Sequence, residues 1–124
     1  MAGYFWSASE LLERASSGEI ESKEFGIKWS YLNYGDCSTL NCLQVYNPRG
    51  IPLHTHDEHD EIIQVLEGEC EAVIGDECRQ LKQGDIFFVP KGTPHKVRQA
   101  CILLSIYSPS FDPQQPDRTF LEKF

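Results

Sequence analysis

Hydrophobic and polar positions alternate in short runs along most of this chain, which is the pattern of half-buried β-strands. Phe25, Ile27, Trp29 and Tyr31 alternate with small or polar residues and predict the first strand. Turn residues bound the apolar runs that follow, and these predict strands over residues 40–46, 51–56, 61–66, 69–74, 78–81, 86–89, 93–98 and 101–107. Residues 75–77 (Gly-Asp-Glu) predict a three-residue hairpin loop. Many short strands at close spacing are typical of a sandwich or a barrel.

The N-terminal residues carry the only helical signal. Ser7 and Glu10 have the spacing of a capping box ahead of two leucines, and this predicts a short helix over residues 7–16. Gly18 is expected to end it. The aromatic residues 4–6 just before the helix need cover, from the barrel itself or from a second copy of the chain.

The predicted organisation is one domain in three parts. A chain of 124 residues is long enough to bury a real core without disulfides or other staples. We expect an N-terminal leader over residues 1–24, a β-barrel over residues 25–108, and a proline-rich C-terminal tail over residues 109–124 that packs on the barrel. The sequence contains no internal repeat and no linker that would separate two domains.

Charge and composition exclude several classes of protein. The chain has 19 acidic and 11 basic residues and a formal net charge of −8, which argues against nucleic-acid binding because such binding depends on neutralising phosphates. No apolar run approaches the roughly 20 residues of a membrane helix, and the N-terminus does not resemble a secretion signal. Five cysteines without a C-x-x-C pair favour reduced thiols and a cytoplasmic protein.

A cluster of histidines and carboxylates is the main chemical signal. His54 and His56 lie two apart on a predicted strand and therefore face the same side. A short turn can return the chain with Glu61 opposite them. Imidazole and carboxylate together suit Fe(II), Mn(II), Co(II), Ni(II) or Zn(II). The alternative is an acidic, solvated loop, because H-x-H alone is weak evidence. His59, in the turn, is a substitute ligand, a substrate contact or a solvated residue.

The sequence around this cluster resembles the cupin family. The first cupin motif is matched by His54, His56, Glu61 and Gly68, and the second by Gly84, Pro90, Gly92 and His95, in the family's order and spacing. Two positions depart from the pattern. The glycine before the first motif, Gly50, lies closer to His54 than is usual, and Gln99 stands where the family often has asparagine. Both put the details of a substrate pocket in doubt rather than the metal ligands.

The resemblance implies an all-β fold, a single double-stranded β-helix (jelly-roll) barrel, here preceded by the short helix. It also implies one divalent transition metal per chain on His54, His56, Glu61 and His95. Fe(II) or Mn(II) is favoured, with Ni or Zn as alternatives. Glu61 and His95 are the catalytic candidates among these ligands. A homodimer is expected from the resemblance and from the apolar leader.

Open coordination positions on such a metal would admit water, dioxygen or substrate. We expect a metal-dependent enzyme acting on a small organic acid, enol or aromatic, with dioxygenase-type chemistry ahead of isomerase or cyclase chemistry. Retention of Glu61 argues against the thiol dioxygenases of the family. A non-enzymatic cupin that binds a small ligand is the competing class. The candidates for the substrate pocket are His59, Gln64, Gln99 and Tyr46, while Lys91 and Arg98 are expected to point outward.

Overall fold

A computed structural model of the protein describes residues 5–13, 20–21, 26–32 and 37–123. One helix, α1 (Ala8–Glu13), precedes eleven strands. The strands are β1 (Ile20–Glu21), β2 (Lys28–Tyr31), β3 (Asn41–Asn47), β4 (Gly50–Thr55), β5 (Asp60–Gly68), β6 (Cys70–Ile74), β7 (Glu77–Leu81), β8 (Ile86–Val89), β9 (His95–Arg98), β10 (Cys101–Ser108) and β11 (Thr119–Phe120).

The strands form two antiparallel sheets that enclose the core. The six-stranded sheet has the order β1-β2-β3-β10-β5-β8, and the five-stranded sheet has the order β11-β4-β9-β6-β7. Successive strands cross repeatedly between the sheets: β4 and β9 pair in one sheet, while β5 pairs with β8 and β10 in the other. This is the jelly-roll arrangement, so the predicted fold class is confirmed.

The core follows from the period-two pattern of the strands. In β5, Glu61, Ile63 and Val65 are buried while the residues between them are partly or fully exposed. Leu103 and Tyr107 on β10 face the same interior. Glu61 therefore points into the barrel on the same face as Ile63 and Val65.

The N-terminal helix is present over Ala8–Glu13, and residues 14–16, the rest of the predicted helix, lie outside the described residues. Ser7 Oγ accepts a hydrogen bond from the Glu10 backbone amide at 3.1 Å, which is the expected N-cap. The helix joins the barrel because the Gln44 side-chain amide donates to the Leu11 carbonyl oxygen. Gly18, expected to end the helix, lies outside the described residues, as do Phe25 and Tyr4.

Three local features differ from the prediction. The β6–β7 loop has two residues, Gly75 and Asp76, because Ile74 pairs directly with Glu77; Gly75 has a φ of +59°, which suits a tight turn. Strand β1 lies within the predicted leader and pairs with β2. Strand β11 lies in the predicted tail and pairs with β4. Two-residue strands are too short to give a period-two signal in the sequence.

Two surface properties complete the description. The outer side of the β5–β8 pair exposes three large apolar side chains, those of Ile62, Ile86 and Phe88. Among the described residues, no helix has the length and apolarity needed to cross a membrane.

Candidate metal centre

Two strands, β4 and β9, bring the motif histidines together inside the barrel. His54 on β4 pairs with His95 on β9, and His56 follows β4 directly. The ring centroids lie 4.1 Å apart for His54 and His95, 5.0 Å for His54 and His56, and 5.1 Å for His56 and His95. One ligand atom from each ring lies within 4.8 Å of those of the others. The three residues are at most 4% exposed, so the cluster is an interior site.

Backbone carbonyls fix the orientation of all three rings. The Nδ1 atoms lie 2.7 Å from the Pro52 oxygen for His54, 2.6 Å from the Asp117 oxygen for His56, and 2.9 Å from the Thr93 oxygen for His95. A carbonyl oxygen only accepts, so each Nδ1 must carry the proton and donate it. Each neutral ring then presents the Nε2 lone pair, which is the state that binds a metal.

Glu61 lies beside the cluster at the start of β5. Its Oε1 atom is 3.2 Å from His56 Nε2 and 3.8 Å from His95 Nε2, yet it has no hydrogen bond of acceptable geometry. The side chains of Ser105 and Tyr107 line the same cavity as the carboxylate. A carboxylate oxygen and an imidazole lone pair at 3.2 Å are two acceptors facing each other, which is stable only when a proton or a metal ion lies between them.

The electrostatics of the four groups agree with this reading. Burial lowers the pKa of His54 well below its usual value, and the charges of His95 and His56 lower it further. Burial also lowers the pKa of His95. For His56, burial opposes protonation, but the Glu61 carboxylate raises the pKa overall. Burial alone would raise the pKa of Glu61, yet His56 and His95 bring it below its usual value. Glu61 is thus a carboxylate and His54 a neutral ligand at neutral pH.

The donor set fits one divalent transition metal. Three imidazole nitrogens lie together with one carboxylate oxygen beside them, and all four are acceptors with borderline or hard character, as Fe(II), Mn(II), Ni(II) and Zn(II) prefer. The group within 4.8 Å contains the histidines only, so Glu61 is the outlying member of the predicted set.

A small cavity of about 30 Å³ adjoins the cluster, and its volume exceeds the roughly 10–15 Å³ that a bound water molecule needs. Its apolar walls include Ile63, Val97 and Leu103, and its polar walls include Ser105 and Arg118. Trp29, Tyr107 and Phe111 supply the aromatic part of the lining. Tyr107 and Phe111 stack with ring centroids 4.3 Å apart.

The C-terminal tail takes part in the site instead of covering only the outside of the barrel. The Asp117 backbone oxygen accepts from His56 Nδ1. The Asp117 carboxylate accepts from the backbone amides of Asp57 and Glu58 at 3.1 and 2.7 Å, and from His59 Nδ1 at 2.7 Å. One residue of the tail therefore holds both a predicted metal ligand and the turn that follows it.

His59 is buried and lies outside the cluster of three histidines. Its Nδ1 contacts the Asp117 carboxylate and its Nε2 lies 3.1 Å from the Ser110 carbonyl oxygen. The ring also packs edge-on against Phe111. The structure places His59 between the metal-site turn and the tail, where it joins the two. A solvated loop position, which the sequence left open, is wrong for this side chain.

The other three pocket candidates do not line the cavity. Tyr46 pairs with Ile102 on the opposite side of the sheet from Val45 and Leu103. Gln64 lies between the inward residues of β5, and its amide donates to the Gly84 carbonyl oxygen at 3.3 Å. Gln99 has a φ of +80° and is exposed at the end of β9, where its side chain accepts a hydrogen bond from Gln80. The positive φ of Gln99 turns the chain after β9. Alternation along the strand therefore no longer predicts that Gln99 shares a face with His95.

Several cavity residues have no motif signal. Trp29 and Tyr107 lie on inward strand positions that a correct register would have found. Ser105 is also a buried position of β10, but nothing in the sequence distinguishes it from an ordinary strand residue. Asp117 and Arg118 lie in an irregular tail with no periodicity, so the sequence offered nothing to place them. Lys91 and Arg98 are exposed as expected, and Arg98 pairs with Glu71.

Comparison with known proteins gives a consistent result. The sequence matches the cupin domain family over residues 42–107, which is more than half of the chain. It is 34% identical over 88 residues to the pectin degradation protein KdgF of Dickeya dadantii, covering 68% of this chain and 79% of that protein. It is 44% identical over 62 residues to an uncharacterised protein of Aquifex aeolicus, covering 48% of this chain and about half (51%) of that protein's length.

A solved structure agrees with these relatives. The structure of KdgF from a Halomonas species superposes with a TM-score of 0.67 at 26% sequence identity, covering 80% of this chain and 93% of that one.

Proposed function

This chain belongs to the cupin family, and we propose from that premise that it is a metal-dependent enzyme acting on a small oxygen-bearing organic molecule. The observation that carries the proposal is the convergence of acceptors: three Nε2 lone pairs, each fixed by a carbonyl oxygen at Nδ1, and the Glu61 carboxylate. His54, His56, His95 and Glu61 would hold one divalent transition ion, with Fe(II) or Mn(II) favoured. When bound, the ion would act as a Lewis acid toward an oxygen atom of the substrate.

The residues around Glu61 are arranged to handle a proton. The Tyr107 phenol, the Ser105 hydroxyl and the Glu61 carboxylate line one cavity. Burial and the neighbouring carboxylate raise the pKa of Tyr107 well above its usual value, so the phenol stays protonated and can donate. A carboxylate and a phenol inside the same cavity would supply a general base and a general acid.

This proton pathway leads us to place lyase or isomerase chemistry ahead of dioxygenase chemistry, the reverse of the order expected from the sequence. A ligand derived from a carbohydrate agrees with the relatives named for pectin degradation. Dioxygenase-type chemistry remains the second candidate, because the apolar walls formed by Ile63, Val97 and Leu103 would also shelter an oxygen-binding ion from water.

One experiment separates the candidates. Untagged protein reloaded with Fe(II) or Mn(II) is incubated in D₂O with a panel of small hydroxy acids, keto acids and sugar acids. NMR records deuterium incorporation at carbon, and an electrode records oxygen uptake. We expect deuterium incorporation or elimination that depends on the metal, without oxygen uptake. Oxygen uptake alone would support the dioxygenase, and no turnover of any kind would leave a small-ligand-binding cupin and contradict the proposal.

The variant Glu61→Gln tests the role of the carboxylate in the same assay. It keeps an oxygen donor for the metal but removes the base, so we expect metal content to persist while deuterium incorporation falls about a hundredfold or more. The variant Gln64→Glu, on the outer side of the same strand, is the matched control and should leave the rate unchanged.

A further inference from the structure

Arg118 is the one lysine or arginine among the described side chains that line the metal cavity. We propose that Arg118 binds a carboxylate of the ligand, so that the natural ligand is an organic acid held between this guanidinium and the metal centre. This inference rests on the proposed metal site and adds the chemical class of its substrate.

The position of Arg118 is fixed by the fold. The following two residues form β11, in which Phe120 pairs with His54 and Thr119 with Thr55. The strand pairing therefore ties the backbone next to Arg118 to the strand that carries a metal ligand. A guanidinium anchored in this way is a feature of the site, whereas a surface arginine would move freely.

Two aromatic rings lie against the guanidinium. The Arg118 Cζ atom lies 5.5 Å from the Trp29 ring centroid and 4.8 Å from the Phe120 ring centroid, both within the range of cation–π contact. Carboxylates pair with a guanidinium through two parallel N–H donors. A cation–π contact leaves the charge of the guanidinium in place, so the two contacts are compatible with a bound carboxylate.

The charges of the cavity favour an anion. The two positive charges of a divalent ion and the one of Arg118 would exceed the negative charges of Glu61 and of the nearby Asp117 carboxylate by one. Arg118 and the ligand His54 line the same cavity, which places the guanidinium within electrostatic reach of the metal centre. A poorly solvated cavity with excess positive charge binds an acid in preference to a neutral molecule of the same shape.

The size of the cavity sets a further limit. About 30 Å³ exceeds the roughly 10–15 Å³ that one water molecule needs but is narrow, so a compact group such as a carboxylate fits better than an aromatic ring. Among the three ligand types expected from the sequence, this favours the small acid over the aromatic.

The test compares an acid with its neutral isostere. Protein loaded with one Zn²⁺ per chain, which is diamagnetic, is titrated by NMR with glycolate and with glycolamide. Both offer the metal a hydroxyl and a carbonyl oxygen, and only glycolate carries charge. The titrations are repeated with Arg118→Gln, with Arg118→Lys, and with Arg98→Gln as the control on the outer surface. Zinc affinity and circular dichroism are measured for every variant.

We expect the wild type to bind glycolate more tightly than glycolamide. Arg118→Gln should reduce that preference about ten- to a hundredfold, the range for hydrogen bonds between charged groups. Arg118→Lys keeps the charge without the paired donors and should lose a smaller part of the preference for glycolate. Arg98→Gln should keep the full preference.

Three results would overturn the inference: no preference in the wild type, an unchanged preference in both Arg118 variants, or no binding of either probe. Zinc affinity separates these from failure of the proposed function. Normal zinc binding with no charge preference refutes the role of Arg118 alone, whereas loss of zinc binding in the wild type refutes the metal centre itself.

Discussion

Replacement of Asp117 by alanine should weaken both the fold and the metal site. The Asp117 carboxylate accepts hydrogen bonds from two backbone amides of the 57–58 turn and from His59 at 2.7–3.1 Å. The turn joins His56 to Glu61, so its geometry sets the separation of two predicted ligands. The backbone carbonyl that orients His56 belongs to the same residue and is displaced when the side chain no longer anchors the tail.

The magnitude follows from the three hydrogen bonds. Each hydrogen bond to a charged group contributes about 1.5–3 kcal/mol. The Asp117 side chain keeps 18% of its surface exposed, and losses within one cluster are not additive. We therefore expect Asp117→Ala to lower the free energy of unfolding by about 3 kcal/mol, or roughly 10 °C in Tm for a chain of this length. Metal affinity should fall by about ten- to a hundredfold, as for other partners of metal ligands.

The effect should depend on pH. Burial tends to raise the pKa of Asp117, but the hydrogen bonds from His59 and the two amides lower it below its usual value of 3.8. A carboxyl group with a lowered pKa stabilises the fold fully above the pKa of the unfolded chain, and this contribution is lost as the pH falls through the folded value. The difference between wild type and variant should be constant from pH 7 to about 5 and shrink below about 4.

Urea unfolding of the metal-free proteins at several pH values measures the stability, and competition with a chelator measures the metal affinity. Asp112→Ala is the control, because Asp112 lies in the same tail and its carboxylate accepts from one nearby amide, that of Gln114. Asp112→Ala should lower the free energy of unfolding by less than about 1 kcal/mol. Equal stability and equal metal affinity for Asp117→Ala and wild type would refute the role given to the tail.

Three further predictions concern the cavity, the backbone and the assembly. Tyr107→Phe should keep its metal but lose about tenfold to a hundredfold in turnover, because the phenol is the proton donor to Glu61; unchanged turnover would exclude that role. Gly50→Ala should lower the free energy of unfolding by about 3 kcal/mol or more. Gly50 has a φ of +99°, and a Cβ there would lie 2.7 Å from the Val97 carbonyl oxygen. Gly84→Ala, with a φ of +92° and open space around it, should cost only about 1 kcal/mol in the same thermal scan. The homodimer stays a prediction, and light scattering should give twice the mass of the chain, whereas a monomer over a wide concentration range would contradict it.

The strands could be predicted from the sequence because buried and exposed positions alternate along them. Alternation at period two identifies the inward positions of β5 and β10, and turn residues mark their ends. The same rule placed His54 and His56 on one face and Glu61 opposite. The prediction that two residues two apart on one strand share a face does not depend on the rest of the fold.

The rest of the site depends on contacts between distant parts of the chain. His56 and Asp117 are 61 positions apart, and no local pattern links an irregular tail to a strand in the other half of the barrel. For Gln99, by contrast, a local pattern existed but gave the wrong prediction. Parity along β9 predicts that it shares the face of His95, but a positive φ of 80° turns the chain before the rule applies. Tyr46 and Gln64 were misplaced because strand parity alone does not say which face is inside.

Metal content per chain tests the central claim most directly. Untagged wild-type protein, His54→Ala and His59→Ala are saturated in turn with Fe(II), Mn(II), Ni(II) and Zn(II), freed of excess ion, and analysed for metal. His59 is the matched control, since it is a buried histidine outside the cluster of three. We predict about one ion per chain for wild type and for His59→Ala, and almost none for His54→Ala. A wild type that retains none of the four metals, or a His54→Ala variant that retains as much as the wild type, would contradict the account.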